Sequence, residues 1–363
     1  MIQRSKHLLS LLLIIPALLL TACGETPVYE YDGESLRELA DEVGINFGTA
    51  IGEGAVGGVG NEYTMLLHAH FNHATPENSM KWQPLLNQGR GNYTWTNADK
   101  FVTEASESEQ RIRGHALIWH SQNPSWLDNG TWTAEQLRTL MDEHFAALAT
   151  RYGDSIYSWD VVNEAFDGNP VTHRNESIWY TTIGNSYIAE AFTKARTHFP
   201  NARLYYNDFN INGGTTWTMA KADRVYQMAQ ELVNTNVHID GIGFQMHLQL
   251  DHGFNVTTFK QNLQRFIDLG LCADITELDI RIKTPVTAAK LNQQATMYAD
   301  ILRAYLELDR DYADTFIVWG ISDDKSWIPY TFSGYDDALL FDKQRNPKPA
   351  VAALIAVLEE WVE

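Results

Sequence analysis

Two glutamates stand at the ends of apolar stretches that have the composition of buried strands. Glu164 closes the stretch 160–164, and Glu277 lies in the stretch 275–279. A pair of carboxyl groups can cleave a glycosidic bond, because one acid protonates the leaving oxygen while the other carboxylate attacks or activates water. Glu164 and Glu277 are therefore the candidate catalytic residues.

A metal site is an alternative interpretation, because His115, His120 and His247 could join the glutamates as ligands. However, the sequence has no His-Glu-x-x-His motif or comparably dense spacing of ligands. Amide and tryptophan side chains predominate near the glutamates. We therefore predict neither a metal site nor a cofactor.

Catalysis by a serine or cysteine nucleophile is also disfavoured. The chain has no Gly-x-Ser-x-Gly motif. Cys272 lies inside an apolar stretch, which predicts a buried structural thiol.

Short apolar stretches that end in polar or aromatic residues recur eight times, and amphipathic stretches separate them. The clearest amphipathic stretch, 133–152, begins with a capping-box pattern at Thr133 and Gln136 and is followed by Gly153. A second predicted helix runs through Ala220 and ends near Asn234. The predicted strands are 45–51, 70–75, 112–119, 156–163, 203–207, 239–247, 274–278 and 315–320.

Eight alternating strand and helix units predict an α/β fold, a single closed (β/α)₈ TIM barrel. Functional residues of such barrels lie at the carboxyl ends of the strands. No internal linker interrupts the pattern, which predicts one catalytic domain over residues 36–363. The residues at the predicted strand ends are Glu77, Asn78, His115, Trp119, Asn163, Glu164, Asn207, Asp208, Gln245, His247, Glu277 and Trp319.

Charge and aromatic content narrow the class of ligand. The 27 Lys and Arg against 46 Asp and Glu give a formal charge of −19, which disfavours a nucleic acid partner. The 11 tryptophans could supply flat apolar walls for a neutral sugar, although they could also belong to the core.

The N-terminal residues have the order of a secretory signal. Basic residues precede an apolar run over residues 8–20, which is too short to span a bilayer. The segment Leu20–Cys23 resembles a bacterial lipobox, which implies a signal peptide over 1–22, a lipid on Cys23 and a tether over 23–35. The residue after the cysteine is Gly24 rather than Asp, a pattern that resembles the sequences of lipoproteins sorted to the outer membrane of Gram-negative bacteria. We expect a monomer that contacts the membrane only through this lipid.

Seven ordered blocks of the sequence resemble glycoside hydrolase family 10, a family of endo-β-1,4-xylanases. The resemblance extends over nearly all of residues 35–360 and agrees with the barrel. The blocks are residues 75–82, 114–122, 159–165, 206–208, 243–248, 275–279 and 346–350.

The resemblance implies a retaining double displacement, with Glu164 as general acid/base and Glu277 as nucleophile. Repulsion from ionised Glu277 is expected to raise the pKa of Glu164. His247 resembles the histidine that hydrogen-bonds the nucleophile, with Asp279 behind it. Asn163 is similar to the residue that binds the sugar 2-hydroxyl.

Other family positions correspond to contacts with the sugars on the glycone side of the cleaved bond. Lys81, His115 and Gln245 match contacts next to that bond, and Glu77 and Asn78 match contacts one sugar further out. Trp319 and Trp327 resemble the family's tryptophans whose indole rings pack over these sugars. Trp119 is expected either in the binding site or in the core.

The resemblance therefore implies hydrolysis of internal bonds of xylan and xylo-oligosaccharides. Two other functions stay open at this point. A β-1,4-glucanase could use the same barrel and carboxylate pair, and a surface lipoprotein could bind a glycan without cleaving it.

Overall fold

The computed structural model describes residues 35–52, 62–168 and 171–362. The predicted signal peptide, Cys23 and the predicted tether up to residue 34 lie outside the described residues. The first described residue, Ser35, caps the first helix, because its side chain accepts a hydrogen bond from the backbone N–H of Glu38.

The described residues form ten strands and thirteen α-helices. The strands are β1 (Asn46–Ile51), β2 (His73–Pro76), β3 (Arg111–Gly114), β4 (Ser158–Asn163), β5 (Arg203–Asp208), β6 (Gly241–Phe244), β7 (His247–Gln249), β8 (Cys272–Lys283), β9 (Thr315–Val318) and β10 (Tyr335–Asp336). The helices are α1 (Leu36–Val43), α2 (Glu62–His70), α3 (Trp82–Leu86), α4 (Thr96–Glu107), α5 (Ser125–Asp128), α6 (Ala134–Tyr152), α7 (Ile178–Ile183), α8 (Tyr187–His198), α9 (Thr216–Asn234), α10 (Val256–Ile267), α11 (Ala288–Leu306), α12 (Ile328–Thr331) and α13 (Pro349–Glu359).

Eight of the strands form a closed parallel barrel, as the sequence predicts. Their order is β1 to β6, then β8 and β9, and β9 pairs with β1 to close the ring. The short strand β7 lies parallel to the end of β8, and β10 lies antiparallel to it. The mouth of the barrel is therefore extended on the β8 side.

Several predicted strand boundaries differ from the structure. The seventh predicted strand, 274–278, extends over Cys272–Lys283 as β8. The second strand begins at His73, because His70 is the buried last residue of α2 and its burial resembles that of a strand. The third strand ends at Gly114, where a Cβ atom would lie 2.3 Å from the Trp159 ring. The sixth predicted strand is divided into β6 and β7.

Two predicted helices are confirmed. Helix α6 spans Ala134–Tyr152 with a capping box between Thr133 and Gln136. Helix α9 ends at Asn234. Both contribute apolar faces to the layer between the barrel and the helices.

The barrel interior beneath the mouth contains a buried charged cluster. The guanidinium of Arg113 donates to Asp160 at 2.5 Å and lies 3.7 Å from Asp274. Asp160 also contacts Nδ1 of His115 at 2.9 Å. This cluster places the His115 ring at the mouth.

Candidate active site

A groove of about 510 Å³ crosses the mouth of the barrel. Twelve of the thirteen predicted catalytic and sugar-binding residues line it, and the thirteenth, Asp279, is fully buried directly behind it. The twelve are Glu77, Asn78, Lys81, His115, Trp119, Asn163, Glu164, Gln245, His247, Glu277, Trp319 and Trp327.

The backbone of Glu164 adopts an unusual conformation that aims its side chain into the groove. Its φ of 55° lies in the left-handed region, which is unfavourable for glutamate. Three hydrogen bonds hold this conformation. The N–H of Glu164 donates to Asn207 O, Arg174 donates to Glu164 O, and the next N–H donates to the Tyr206 hydroxyl.

Neutral donors surround the Glu164 carboxyl group. Trp119 Nε1 donates to Oε2 at 2.9 Å, and Gln245 Nε2 donates to Oε1 at 3.1 Å. His120 Nδ1 lies 3.9 Å from Oε2. These contacts stabilise the carboxylate form.

The pKa of Glu164 differs in direction from the sequence expectation. Burial raises this pKa, but His120 and the donors Gln245 and Trp119 outweigh burial and hold the pKa below its ordinary value. Burial lowers the pKa of His120, so its positive charge contributes only in acidic solution. The prediction of a raised pKa was wrong because it considered repulsion from Glu277 and not these donors.

The Glu277 carboxylate accepts hydrogen bonds from a different set of groups. Asn207 Nδ2 donates to Oε1 at 2.6 Å, and His247 Nε2 contacts Oε2 at 3.2 Å. His247 Nδ1 in turn contacts Asp279 Oδ2 at 2.8 Å. Glu277, His247 and Asp279 are therefore connected in the order that the family resemblance implies.

His247 is a cation between two carboxylates. Burial lowers its pKa, but Asp279 and Glu277 outweigh burial and raise the pKa to about 10. Asp279 Oδ2 also accepts a hydrogen bond from Trp327 Nε1 at 2.9 Å. Asp279 therefore orients both the histidine and one indole wall of the groove.

A bridge of amide groups connects the two glutamates. Asn207 Nδ2 donates to both Glu277 and Asn163 Oδ1, and Gln245 Nε2 donates to both Asn163 Oδ1 and Glu164. A carboxylate can only accept hydrogen bonds. The NH₂ group of Asn207 must therefore face Glu277, and the NH₂ group of Gln245 must face Glu164. The atom of Asn163 that faces those groups is therefore its oxygen.

The other predicted residues occupy the opposite half of the groove. Lys81 Nζ donates to Asn78 Oδ1 at 3.0 Å and lies 4.7 Å from the centre of the Trp119 ring. Trp319 packs its edge against His115 with ring centres 5.4 Å apart. Trp119 is half-buried and faces the groove.

Asn207 and Asp208 were both candidates from their strand-end positions, and the structure separates them. Asn207 is part of the amide bridge, whereas Asp208 is fully buried beneath it. There Asp208 contacts Lys221 Nζ at 2.6 Å and accepts a hydrogen bond from the Tyr206 hydroxyl at 2.6 Å. Asp208 therefore contacts the tyrosine that supports the Glu164 backbone.

Sequence reasoning did not identify three further residues that line the groove, Gln122, Phe209 and Phe332. Phe209 directly follows Asp208, so its position after a strand end could have indicated it. Phe332 follows the short helix α12, and no local pattern distinguishes it. It packs against Trp327 with ring centres 5.3 Å apart.

No cluster of three or more His, Cys, Asp or Glu side chains in the described part of the chain is arranged to hold a metal ion. None of the helices in residues 35–52, 62–168 and 171–362 is long and apolar enough to cross a membrane.

Comparison with known proteins gives a consistent result. The family model described as Glycosyl hydrolase family 10 matches residues 35–357. Endo-1,4-beta-xylanase B of Thermotoga neapolitana is 38% identical over 348 residues, which are 95% of this chain and 98% of that protein. An endo-1,4-beta-xylanase of Agaricus bisporus is 39% identical over 287 residues, 79% of this chain and 83% of that protein.

Solved structures agree with these sequence relationships. Xylanase 10B of Thermotoga petrophila RKU-1, solved in complex with xylobiose, is 38% identical and superposes with a TM-score of 0.85. The match covers 92% of this chain and 100% of that protein. Native xylanase 10B of Thermotoga maritima also gives a TM-score of 0.85 at 39% identity, over 91% and 99% of the two chains.

Proposed function

The chain belongs to glycosyl hydrolase family 10, and from this membership we propose that it is a retaining endo-β-1,4-xylanase. It hydrolyses internal bonds of xylan and xylo-oligosaccharides. The observation that carries the proposal is the pair Glu164 and Glu277, which face one groove and are connected by the amide bridge. The xylanases that this chain resembles, one of them solved with xylobiose, support the substrate class.

In the first step the Glu277 carboxylate attacks the anomeric carbon of a xylose unit. The bond to the leaving oxygen breaks, and that oxygen takes a proton from Glu164. The product is a covalent glycosyl-enzyme and a shortened sugar chain. In the second step Glu164 removes a proton from water, the water oxygen attacks the anomeric carbon, and the Glu277 carboxylate leaves.

Glu164 must be protonated for the first step although its pKa is low in the structure. A bound sugar excludes water and competes for the N–H groups of Trp119 and Gln245, and both effects raise the pKa of Glu164 in the complex. When these donors return to the carboxylate, they favour the ionised form that the second step requires.

His247 and Asn207 orient the nucleophile. Both donate to Glu277, so they direct the carboxylate and disperse its charge before attack. Asn163 contacts the 2-hydroxyl of the reacting sugar, an interaction that strengthens as positive charge develops at the anomeric carbon. Glu77, Asn78, Lys81, His115 and Gln245 bind the glycone sugars between the indole walls of Trp119, Trp319 and Trp327.

Release of reducing sugar from purified xylan, compared with cellulose, tests this function. We expect hydrolysis of xylan and little hydrolysis of cellulose. Preferential hydrolysis of cellulose would identify a glucanase, and binding without hydrolysis of either polymer would identify a glycan-binding protein. Early product anomers observed by NMR should be β, and an initial α product would exclude retention.

We also propose that the enzyme is a monomeric lipoprotein anchored through Cys23 in the outer membrane of a Gram-negative bacterium. The lipobox resemblance of Leu20–Cys23 and the following Gly24 support this location. A tethered enzyme meets soluble fragments more readily than insoluble cell wall, so it prefers xylo-oligosaccharides and soluble decorated xylan to insoluble xylan.

Membrane fractionation of the wild type and of Cys23→Ser tests the anchor. We expect the wild type in the outer membrane fraction and the variant in the soluble fraction. A freely soluble wild type would contradict anchoring. The substrate preference is tested separately by kcat/KM for xylohexaose and for polymeric xylan, and it fails if the polymer is the better substrate.

A further inference from the structure

Trp119, whose indole N–H donates to Glu164, lies on a segment that has left the regular sheet. Strand β3 ends at Gly114, and its pairing with β2 extends only to Ile112. The segment 117–119 that follows lies beside β4, where Ile118 forms an isolated parallel bridge with Val162. Pairing with β2 therefore does not determine the position of Trp119.

Hydrogen bonds to β4 hold one edge of this segment. The N–H groups of Leu117 and Ile118 donate to backbone carbonyl groups of β4 at 2.9 and 3.0 Å. Ile118 O accepts a hydrogen bond from the N–H of Asn163 at 2.8 Å. Carbonyl groups in the interior of a protein need donors, so the other carbonyl groups of the segment require partners from elsewhere in the fold.

Two buried tryptophans supply these donors. Trp82 Nε1 donates to Leu117 O at 2.6 Å, and Trp179 Nε1 donates to Trp119 O at 3.1 Å. The two indole rings pack against each other with centres 5.3 Å apart, and they are 2% and 0% exposed. Asn123 Nδ2 adds a longer hydrogen bond to Trp119 O, at 3.4 Å. Side chains therefore hold both carbonyl groups in place of a neighbouring strand.

Trp179 belongs to the part of the chain that also supports Glu164. This part follows β4, and its Arg174 donates to Glu164 O at 2.9 Å. The N–H of Ser177, the N-cap of α7, donates to Arg174 O at 3.2 Å, and Trp179 lies in the first turn of α7. Residues 174–179 therefore contact the backbone of the acid/base and the backbone of the tryptophan that donates to it.

We propose that Trp179 is a positioning residue for the acid/base and acts through Trp119. Its N–H fixes the Trp119 backbone so that Trp119 Nε1 meets Glu164 Oε2 at 2.9 Å. That donation stabilises the ionised form of Glu164, which takes a proton from water in the second step. Trp82 has the same role at Leu117. The inference rests on the proposed function and names residues that set the rate of its second step.

An aryl xylobioside with a dinitrophenyl leaving group separates the two steps. This leaving group needs no proton, so kcat/KM reports formation of the glycosyl-enzyme and kcat reports its hydrolysis. Trp179→Phe keeps an aromatic ring and removes the N–H. It should lower kcat about 10-fold, because a misplaced base is less effective, and KM should fall in proportion, so that kcat/KM stays unchanged.

The Glu164 carboxyl group provides an independent readout. In protein labelled with ¹³C at the glutamate carboxyl groups, the Glu164 signal is the one missing from Glu164→Gln. In Trp179→Phe this signal should titrate at higher pH than in the wild type, because a misplaced donor stabilises the carboxylate less. The variant leaves in place the charged groups that face Glu164, which are His120, Arg174, Asp208, Lys221 and, in the same groove, Glu277.

Trp132→Phe is the matched control. Trp132 is half-buried and lies outside the groove, and its Nε1 also donates to a backbone carbonyl group, that of Leu127, at 2.9 Å. The control should behave as the wild type in both measurements. Trp82→Phe should reproduce the changes seen in Trp179→Phe. If Trp179→Phe does not fold, 3-benzothienylalanine at position 179 keeps the shape of the indole and replaces only its N–H by sulfur.

Equal losses in kcat and kcat/KM would overturn the proposal, because they would indicate a structural role for the indole. Unchanged kinetics or an unshifted Glu164 titration would also overturn it. Failure of the wild type to hydrolyse either xylan or the xylobioside would instead contradict the proposed function.

Discussion

At the scale of single residues, the two glutamates differ in the groups that hold them. Glu164 accepts hydrogen bonds from the neutral donors Trp119 and Gln245, whereas Glu277 contacts the cation His247 and the amide of Asn207. Donors that a bound sugar can displace allow Glu164 to gain and lose a proton during the reaction. His247 and Asn207 orient the Glu277 carboxylate for attack.

This difference predicts a division of labour between the two side chains. Glu277→Ala should abolish hydrolysis of every substrate. Glu164→Ala should lower kcat for xylan by about 10²–10⁴-fold but spare formation of the glycosyl-enzyme from aryl xylobiosides whose leaving groups need no proton. Steady-state and burst kinetics on both substrate types provide the measurement.

The exposed Glu107→Ala is the control for this comparison and should behave as the wild type. Equal loss on activated and unactivated substrates in Glu164→Ala would contradict its role as the acid.

A second prediction concerns the titration of His247. The pKa of His247 is raised to about 10, so the imidazole stays protonated at neutral pH and loses its proton only in alkaline solution. Asp279→Asn removes the main contribution that raises this pKa. NMR of the His247 ring should therefore show loss of its proton at lower pH in this variant, and kcat should fall more than KM rises.

Asp251→Asn removes an exposed carboxyl group on the same side of the mouth and should leave the titration of His247 unchanged. An unshifted His247 titration in Asp279→Asn would contradict the charge network. A rise in KM at unchanged kcat would instead indicate that Asp279 acts on sugar binding, through its hydrogen bond to Trp327.

At the scale of elements, the pairing of strand β4 with β5 determines the backbone conformation that positions Glu164. Their register shifts between Asp160 and Val162, a bulge two residues before the end of β4. The chain then enters the left-handed conformation at Glu164. Helix α9 supports this turn from below, because its Lys221 pairs with Asp208 at the end of β5.

The pairing of β5 and α9 predicts a stability effect. Lys221→Met should lower the free energy of unfolding by about 3–5 kcal/mol, because it leaves the buried Asp208 carboxylate unpaired. Burial raises the pKa of Asp208 to about 6 even with Lys221 and Tyr206 opposing it. Without Lys221 this pKa rises further, so the loss should be greater in alkaline than in mildly acidic buffer.

Urea unfolding of both single variants and of the double variant Lys221→Met, Asp208→Asn measures this effect. The double variant should be more stable than Lys221→Met alone, because no unpaired carboxylate remains at position 208. Additive losses would contradict the pairing.

Helix α6 allows a separate test of a local pattern. Thr133→Ala should lower the free energy of unfolding by about 1 kcal/mol, because it removes the acceptor for the N–H of Gln136. Thr139→Ala, at an exposed position in the same helix, is the matched control and should change stability by less than about 0.5 kcal/mol. Equal effects in urea unfolding would show that the cap contributes nothing.

At the scale of the whole molecule, the accessibility of the Cys272 thiol to a reagent measures unfolding of the barrel. Cys272 begins β8 and is 9% exposed, which confirms the expectation of a buried thiol. Burial raises the pKa of this thiol to about 12, so little reactive thiolate forms. In the Cys23→Ser background Cys272 is the one remaining cysteine of the sequence.

Labelling of that variant with a thiol reagent should therefore require unfolding of the barrel. We expect no reaction in native buffer, complete reaction in denaturant, and a midpoint that coincides with the loss of tryptophan fluorescence. Labelling well below that midpoint would show that β8 opens locally.

The barrel and most of the groove residues could be predicted from the amino-acid sequence alone. Strands, helices and caps follow from local periodicity and capping patterns, as in α6, and parallel strands place their carboxyl ends at one mouth. Glu164 and Glu277 could therefore be identified from the stretches that contain them, although boundaries such as that at His70 could not.

The contacts between side chains of distant segments could not be predicted in this way. Asn207 contacts residues 44 and 70 positions away in the sequence, and these contacts depend on strand register. The lowered pKa of Glu164 likewise arises from His120 and from the donors Gln245 and Trp119, which lie on other segments. Burial and electrostatic potential are properties of all surrounding segments together, so no local pattern could have predicted them.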